Sequence, residues 1–177
     1  MKASLVMTVI ADDHPGLVSA LADEIAAFEG SWAETRMASL AGKFAGVLLV
    51  TVPEPRAEAL IAALRELEDQ GLHLVIEKSA GKTPPASRML ELELIGQDRP
   101  GIVREISHLL AEHGINIEEL ETQCISGSFS GEALFRARAR LRLPRQLATV
   151  ELRAALEALA NELMVDIHLD EAAAATH

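Results

Sequence analysis

Leu90-Glu-Leu-Glu-Leu-Ile-Gly-Gln-Asp-Arg-Pro-Gly-Ile-Val103 decides how this chain is organised, because a counterpart of it stands earlier in the sequence. The counterpart is Leu5-Val-Met-Thr-Val-Ile-Ala-Asp-Asp-His-Pro-Gly-Leu-Val18, and aligning Asp98 with Asp13 gives an offset of 85 residues. The same offset aligns Gly42-Lys-Phe-Ala-Gly46 with Gly127-Ser-Phe-Ser-Gly131. Two separate matches at one spacing indicate a tandem repeat.

The segment between the two copies, Ala80-Gly-Lys-Thr-Pro-Pro-Ala-Ser87, has the proline pair and small polar residues that are typical of a linker. We therefore predict a first domain over residues 1–80, a linker over 81–87, a second domain over 88–170 and a flexible tail over 171–177. A domain of this size buries only about 60% of its unfolded surface. The two domains are thus expected to share an interface or to dimerise.

The second copy has the pattern of alternating strands and helices. Leu90, Leu92 and Leu94 alternate with glutamates, which predicts a strand with one buried face that stops at Gly96. Asp98-Arg-Pro-Gly101 supplies an acidic capping residue and an early proline, and predicts a helix that ends at Gly114. A strand from Asn116 to Cys124, a Gly-rich turn over residues 126–131 and a strand with apolar residues at alternate positions then form a hairpin. The alternate positions are Phe135, Ala137, Ala139, Leu141 and Leu143.

A second helix and a last strand complete this copy, and the first copy repeats the order. The last helix is marked by Val150, Leu152, Leu156, Leu159 and Leu163, and the last strand covers 165–169. In the first copy we predict strands over 5–10, 32–40, 47–52 and 72–78, and helices over 17–28 and 56–69. The predicted fold is α+β, with two ferredoxin-like βαββαβ sandwiches. Each has a four-stranded antiparallel sheet in the order 4-1-3-2, with two helices on one face.

The composition indicates which kinds of partner the protein can bind and which cellular compartment suits it. The chain has 16 basic and 27 acidic side chains, a net charge of -11, and therefore repels nucleic-acid phosphates. Its single cysteine permits no intrachain disulfide, which favours the cytoplasm. The segment from Lys2 to Ala11 has the apolar character of a signal-peptide core, but its interior copy indicates that both are structural. We predict no membrane association and no direct binding to nucleic acid.

Four arginines at every second position, Arg136, Arg138, Arg140 and Arg142, form a basic stripe on one face of a predicted strand. In the predicted strand order this strand lies between one bearing Glu91 and Glu93 and one bearing Glu119 and Glu121. The parity favours an ion-pair ladder across strands on the open face of the sheet; contact with a partner protein is the alternative. The same face of the first copy, with Val6, Thr8, Ile10, Val47 and Leu49, is apolar and is a hypothesis for interdomain or dimer packing.

The sequence carries no arrangement typical of catalysis or metal binding. His108 and His113 are five residues apart and point in different directions on a helix. Cys124 shares the parity of Leu120 and Thr122, which predicts a buried, inert thiol. We predict no enzyme activity, no metal and no cofactor.

The turn between first strand and first helix is the remaining candidate site. One interpretation of Asp13-His-Pro-Gly16 and Asp98-Arg-Pro-Gly101 is that these residues only serve folding. The aspartate then caps the helix, the proline fixes an early helical φ and the glycine lets the backbone turn tightly. Alternatively, the free amides of the helix N-terminus, beside a glycine without a side chain, bind a small carboxylate. Asn116, which starts the second strand, adds amide donors near the same end.

At these residues the chain resembles tandem ACT-domain proteins, and most closely the glycine cleavage system transcriptional repressor family. The resemblance covers residues 3–170 and is carried by Asp13–Val18, Asp98–Val103 and Gly114-Ile-Asn-Ile-Glu-Glu-Leu120. ACT domains commonly bind amino acids between paired domains, with this turn and the start of the second strand. The resemblance thus implies ligand contacts from both copies: Asp13, His14, Pro15, Gly16, Leu17, Asp98, Arg99, Pro100, Gly101, Ile102, Asn116 and Ile117. The first copy departs from the pattern, since Trp32 stands where the second has Asn116, and this favours a filled or reshaped first site.

The resemblance also implies a function: a sensor of a small amino acid such as glycine, which acts as a homodimer through a LysR-type regulator protein rather than by contacting DNA. An ACT scaffold that binds no ligand is the first alternative. A relative of the ACT-containing formyltetrahydrofolate deformylases that lacks their catalytic domain is the second. The short segment after the second repeat argues against this enzyme.

Overall fold

The computed structural model describes residues 1–79, 87–126 and 133–171, and divides the chain into two compact units, Met1–Thr83 and Pro84–His177. The predicted linker lies outside the described residues except for Ser87, and so does the predicted Gly-rich turn except for Ser126. Of the predicted tail, only Glu171 is described. It is the last residue of a strand and pairs with Leu90.

Unit 1 contains four strands and two α-helices in the predicted order. They are β1 (Lys2–Asp12), α1 (Leu17–Ala27), β2 (Ser31–Leu40), β3 (Lys43–Pro53), α2 (Ala57–Glu66) and β4 (His73–Ser79). One short 3-10 turn precedes α2 and another follows it, over Glu54–Arg56 and Leu67–Gln70. The helix predicted over 56–69 is therefore an α-helix with a tighter turn at each end.

Unit 2 has the same order of elements. They are β5 (Arg88–Gln97), α3 (Ile102–Glu112), β6 (Asn116–Ser126), β7 (Ala133–Leu143), α4 (Thr149–Leu163) and β8 (Val165–Glu171). The two sheets run β2-β3-β1-β4 and β6-β7-β5-β8, and the neighbouring strands in each of them are antiparallel. The predicted α+β fold and strand order are confirmed.

Each core lies between one sheet face and the two helices of its unit. In β1 every second residue from Ala3 to Ala11 is buried, and α1 buries Leu17, Leu21 and Ile25 at helical spacing. In unit 2 the predicted alternation in β7 is confirmed, because Phe135, Ala137, Ala139, Leu141 and Leu143 are all buried. These apolar faces meet because the strand period of two and the helix period of 3.6 each collect them on one side.

The prediction that Cys124 is buried is wrong. Its parity was predicted correctly, but β6 is an edge strand and contributes only Ile117, partly buried, to the core of unit 2. The core is built from α3, α4 and the other three strands, so Leu120, Thr122 and Cys124 remain exposed. Val150, counted among the apolar positions of the last helix, is also exposed, at 78%.

The described helices include none that is long and apolar enough to span a membrane.

Candidate functional site

The two strand-to-helix turns have the same backbone geometry. Gly16 precedes α1 with φ of 102° and Gly101 precedes α3 with φ of 99°, both in the left-handed region that favours glycine. Each glycine occupies the N-cap position, where no side chain accepts a hydrogen bond from the helix amides. The prediction that Asp13 and Asp98 cap these helices with a proline in the first turn is therefore wrong, because the helices start three residues later than a cap at the aspartate requires.

The two aspartates instead fix the turn to the neighbouring hairpin. The amide of Asp13 donates to the Gly42 carbonyl over 3.0 Å, and the Ser39 hydroxyl donates to the Asp13 carboxylate over 2.5 Å. In unit 2 the Asp98 amide donates to the Ala133 carbonyl over 2.9 Å, and the Cys124 thiol lies 3.7 Å from the Asp98 carboxylate.

Ser39 and Cys124 are 85 residues apart, so the offset of the repeat relates them. Neither residue was predicted to lie at the turn. The signal that could have identified them is the offset of the repeat, which relates Ser39 to Cys124 and Asp13 to Asp98.

The Cys124 thiol is held in its protonated form. Partial desolvation raises its pKa above the usual value, and the adjacent Asp98 carboxylate adds to the shift because a thiolate would meet a like charge. This agrees with the predicted lack of nucleophilic character, for a reason other than burial.

Open space and unpaired amides coincide at the turns. A Cβ atom added to Gly16 or Gly101 would meet no other atom within 4 Å. The first three amides of an α-helix have no partner within the helix, and their dipoles place partial positive charge there. In unit 1 a surface concavity of about 570 Å³ is lined by residues 13–19 and Phe44. A small anion can approach these amides without displacing a side chain.

Asn116 was predicted to lie at the same end of the sheet as the turn. Within unit 2 this prediction is wrong. Residue 97, beside the turn, pairs with Leu134 of β7, whereas Asn116 pairs with Arg142 of the same strand. Eight residues of extended strand separate Leu134 from Arg142, which is roughly 26 Å. The turn and Asn116 therefore lie at opposite ends of the sheet of unit 2.

At its own end, Asn116 belongs to a polar cluster that a β-bulge creates. The bulge falls between Ile117 and Glu119, and it leaves Glu118 beside both Asn116 and Arg142. The Asn116 amide donates to Glu118 over 2.6 Å, and Arg142 pairs with the same carboxylate oxygen over 2.8 Å. Asn116 and Arg142 also line a concavity of about 460 Å³.

The interpretation of Trp32 as the counterpart of Asn116 is wrong by one residue. Ser31 pairs with Thr51 and Trp32 with Val50, whereas Asn116 pairs with Arg142 and Ile117 with Leu141. Since Leu5 pairs with Val50 and its counterpart Leu90 with Leu141, Ser31 stands where unit 2 has Asn116. Trp32 matches Ile117 and packs against the core of unit 1. A small polar residue is thus present at this position of the first copy.

The predicted ion-pair ladder is present on the open face of the sheet in unit 2. Arg136 and Arg138 both pair with Glu93, over 2.5 Å and 3.1 Å, and Arg140 pairs with Glu119 over 3.3 Å. Arg142 pairs with Glu118, which the bulge brings within reach. Glu118 was not among the glutamates predicted to take part in the ladder. The basic stripe is therefore largely neutralised by this unit's own carboxylates.

We expect the ladder to make the stability of the protein depend on acidic pH through Glu93. Hydrogen bonds from Arg136, then from Arg138, hold the pKa of Glu93 below its ordinary value of 4.5. A carboxyl with a depressed folded-state pKa stabilises the fold above the unfolded-state value and loses that contribution as the pH falls below it. Glu93→Gln should therefore lower Tm at pH 7 and flatten the fall of Tm between pH 5 and pH 3, measured by calorimetry.

Glu157→Gln is the matched control for this experiment, since Glu157 is exposed on α4 and forms no ion pair with another residue that the structure describes. It should follow the wild-type pH dependence. Equal slopes for wild type and Glu93→Gln would contradict the assignment.

Among the described residues, no group of three or more histidine, cysteine, aspartate or glutamate side chains is placed to hold a metal ion.

The fold and the repeated turn define the class as a tandem of two ferredoxin-like domains, each with an open helix N-terminus beside a glycine. Two ACT-domain profiles match the chain, over residues 3–77 and 91–141. The chain belongs to the ACT-domain family.

Solved structures resemble the whole chain. An unknown protein from Galdieria sulphuraria is 31% identical, covers 98% of this chain and 100% of its own, and superposes with a TM-score of 0.87. A protein proposed to be a glycine cleavage system transcriptional repressor is 18% identical, with coverage of 96% and 97% and a TM-score of 0.70. At that identity the second likeness shows the fold alone. No curated protein matches the chain.

Proposed function

We propose that this protein is an amino-acid-sensing regulator of the glycine-cleavage type, which acts through a regulator protein rather than by contacting DNA. The presence of two ACT domains supports a regulatory role, and the likeness to a protein proposed as a glycine cleavage repressor supports the finer assignment. The net charge of -11 disfavours direct contact with nucleic-acid phosphates. By resemblance, the partner is a LysR-type protein and the ligand is glycine or a similarly small amino acid.

The observation that carries the proposal is the pair of uncapped helix N-termini behind Gly16 and Gly101. Their free amides are suited to the carboxylate of an amino acid, because the donors point at the anion and the helix dipole favours negative charge. A glycine at the turn leaves space for close approach. Asp13 and Asp98 then serve to hold the turn in place, while the amides of Leu17 and Ile102 with their successors bind the ligand.

The resemblance assigns Asn116 to the ligand site, which this residue can join only from a second domain. Asn116 lies at the far end of the sheet from the turn of its own unit, so it cannot join that site. Antiparallel pairing of the exposed edge of β6 with the edge strand of another domain would bring the Asn116 end beside that domain's turn. The exposed Leu120 and Cys124 on the helix side of β6 are apolar surface that such pairing would cover.

Thermal unfolding in the presence of single amino acids tests the proposal. A ligand that binds the native state raises stability by about 2.7 kcal/mol at a hundredfold excess over Kd. We expect a rise of several degrees in Tm with glycine or another small amino acid at millimolar concentration. Serine, alanine and a large residue such as phenylalanine complete the panel.

Two substitutions locate the site, each with a matched control. Gly101→Val should reduce the ligand-induced shift to the part that the Gly16 turn contributes, whereas Gly71→Val should keep the part contributed by unit 2, because Gly71 has a similar φ of 90° and open space but belongs to unit 1. Asn116→Ala should weaken the shift and Gln123→Ala, elsewhere on β6, should not. Each shift is measured against the variant's own Tm, so a loss of stability alone does not imitate loss of binding.

The absence of a shift with every amino acid would contradict the sensing proposal. The protein would then be assigned as an ACT scaffold that binds a partner without a ligand.

A further inference from the structure

A concavity with basic side chains lies at the end of the unit 2 sheet that is opposite the Gly101 turn. Two of the described residues that line it, Arg142 and Arg145, are arginines and none is acidic. The chain as a whole has a net charge of -11, so this surface differs in charge from the rest of the protein. We call it the basic pocket; its volume is about 460 Å³, and it is lined by residues 142–146 with Ser87, Gly114 and Asn116.

The arginine at the end of β7 is held in place and keeps donors for a ligand. Arg142 donates through Nε to a Glu118 carboxylate oxygen over 2.8 Å, and the Asn116 amide donates to the same oxygen over 2.6 Å. A guanidinium group has five N–H donors, and this contact uses one of them. Glu118 itself does not line the pocket. The terminal nitrogens of Arg142 are therefore able to bind an anion while Nε stays bound to Glu118.

The equivalent end of unit 1 shows that the fold does not require these arginines. By the strand register that relates the two units, Thr51 stands where unit 2 has Arg142. Glu54 likewise stands where unit 2 has Arg145. The third strand of unit 1 is thus followed by an acidic side chain where that of unit 2 is followed by a basic one. Folding alone does not explain the two arginines.

A second difference between the units removes a carboxylate from this end of the sheet. Glu29 and Gly114 are related by the offset of the repeat, and both have a left-handed φ, of 57° and 66°. In unit 1 the Glu29 carboxylate pairs with Arg56 over 3.0 Å. In unit 2 the position is open, since a Cβ atom added to Gly114 would meet no described atom closer than Pro144, at 3.6 Å. Unit 1 thus supplies its own carboxylate here, whereas unit 2 leaves space for an external anion.

We propose that the basic pocket binds a phosphate group, either free or carried by a small molecule. Guanidinium groups bind phosphate through parallel N–H donors, and two of them match the charge of nearly -2 that a phosphate monoester carries at neutral pH. The side-chain amide of Gln146 adds a neutral donor. The volume is in the range of small-molecule pockets and larger than a phosphate group alone fills, which favours a phosphorylated small molecule. A long polyanion is disfavoured, because the acidic remainder of the chain would repel it.

Titration of the isotope-labelled full chain with inorganic phosphate at constant ionic strength, followed by NMR, tests the proposal. The amide signals of Gly114, Arg145 and Gln146 should shift and saturate. Arg142→Gln and Arg145→Gln should each weaken binding about tenfold, because each removes charge-assisted hydrogen bonds. Arg65→Gln is the matched control, since Arg65 is exposed on α2 of unit 1, and it should bind phosphate as wild type does. The spectra also show whether each variant is folded.

A substitution at the open position tests the comparison of the two units. Gly114→Glu should abolish phosphate binding, because it places in the pocket the carboxylate that Glu29 supplies in unit 1. Gly114→Gln adds a side chain of the same size without the charge, and it should weaken binding less. Equal effects of the two variants would contradict a role for charge in the pocket.

Other ligands identify the source of the phosphate group. Tighter binding of glycerol phosphate than of inorganic phosphate would assign a phosphorylated small molecule, and the reverse order would assign free phosphate. Acetate carries a single charge and should bind several-fold more weakly than either.

Three results would overturn the proposal: shifts that do not saturate, shifts confined to the Gly16 and Gly101 turns, and acetate binding as tight as that of phosphate. Gly101→Val should leave phosphate binding intact. Failure of this proposal is therefore distinguishable from failure of amino-acid sensing, on which it does not rest.

Discussion

Replacing Leu21 by alanine is expected to lower the free energy of unfolding of unit 1 by about 3 kcal/mol. Leu21 has no exposed surface and lies in the middle of α1, between Leu17 and Ile25. The substitution removes three methyl or methine carbons from a packed core, and the cavity left behind adds to the lost transfer free energy. Since α1 begins at the candidate turn, loosening this helix should also weaken any ligand-induced stabilisation.

The measurement is urea unfolding followed by tryptophan fluorescence. Trp32 is the single tryptophan of a chain without tyrosine, and it packs against the core of unit 1. Its emission therefore reports on this unit. Leu40→Ala is the matched control, with the same chemical change at a side chain that is 79% exposed in β2, and it should cost less than about 0.5 kcal/mol. Similar losses for the two variants would contradict the assignment of Leu21 to the core.

Gly46→Ala is the second substitution for which we expect a large effect, a loss of about 2–3 kcal/mol. Gly46 lies in β3 opposite Met37 of the edge strand β2. An added Cβ would overlap the Arg36 carbonyl oxygen and the Met37 side chain, and would lie 2.8 Å from the Met37 Cα atom. Two of these three contacts are with backbone, which cannot move aside without breaking the pairing of β2 and β3.

The equivalent pair in unit 2 suggests the control. There Ala137 lies opposite Thr122, so the larger residue of the central strand faces a smaller one on the edge strand. Gly46→Ala combined with Met37→Thr should recover part of the loss, as the side-chain overlap disappears while the overlap with the Arg36 carbonyl remains. Gly71→Ala, which adds the same methyl group in open space at a φ of 90°, should cost only about 1 kcal/mol. Equal costs at positions 46 and 71 would refute the steric explanation.

The architecture could be predicted from the sequence because its signals are local and occur twice. Alternating residues such as Leu90, Leu92 and Leu94 fix both the strand and its buried face. The offset of 85 residues relates β1, α1 and β2 to β5, α3 and β6, whereas Val50 of β3 corresponds to Leu141 of β7, 91 residues later, because the hairpin of the second copy is longer. Strand order followed from the fold class that these elements define. The ladder followed too, since parity alone puts Arg136 and Arg138 on the face of Glu93.

The candidate site was predicted less well. Which of its residues lie together depends on the register between strands and on the direction in which each strand runs, and neither can be derived from a pattern in the sequence. A bulge beside Ile117 selects Glu118 as the partner of Arg142, and no pattern in the sequence marks that bulge. The aspartates have the composition of helix caps, but the left-handed Gly16 and Gly101 delay the helices and release Asp13 and Asp98 to bind the hairpin.

The sequence by itself thus determined the repeat, the elements and the side of each strand that faces the helices, since hydrophobic periodicity acts over neighbouring residues. Tertiary structure alone decided exposure and distance. Cys124 has the parity of a core residue, yet it is exposed because the helices pack over other strands. Asn116 follows α3 closely in the chain, yet it lies a full strand length from the turn before α3, because a helix carries the chain back along the sheet before β6 begins.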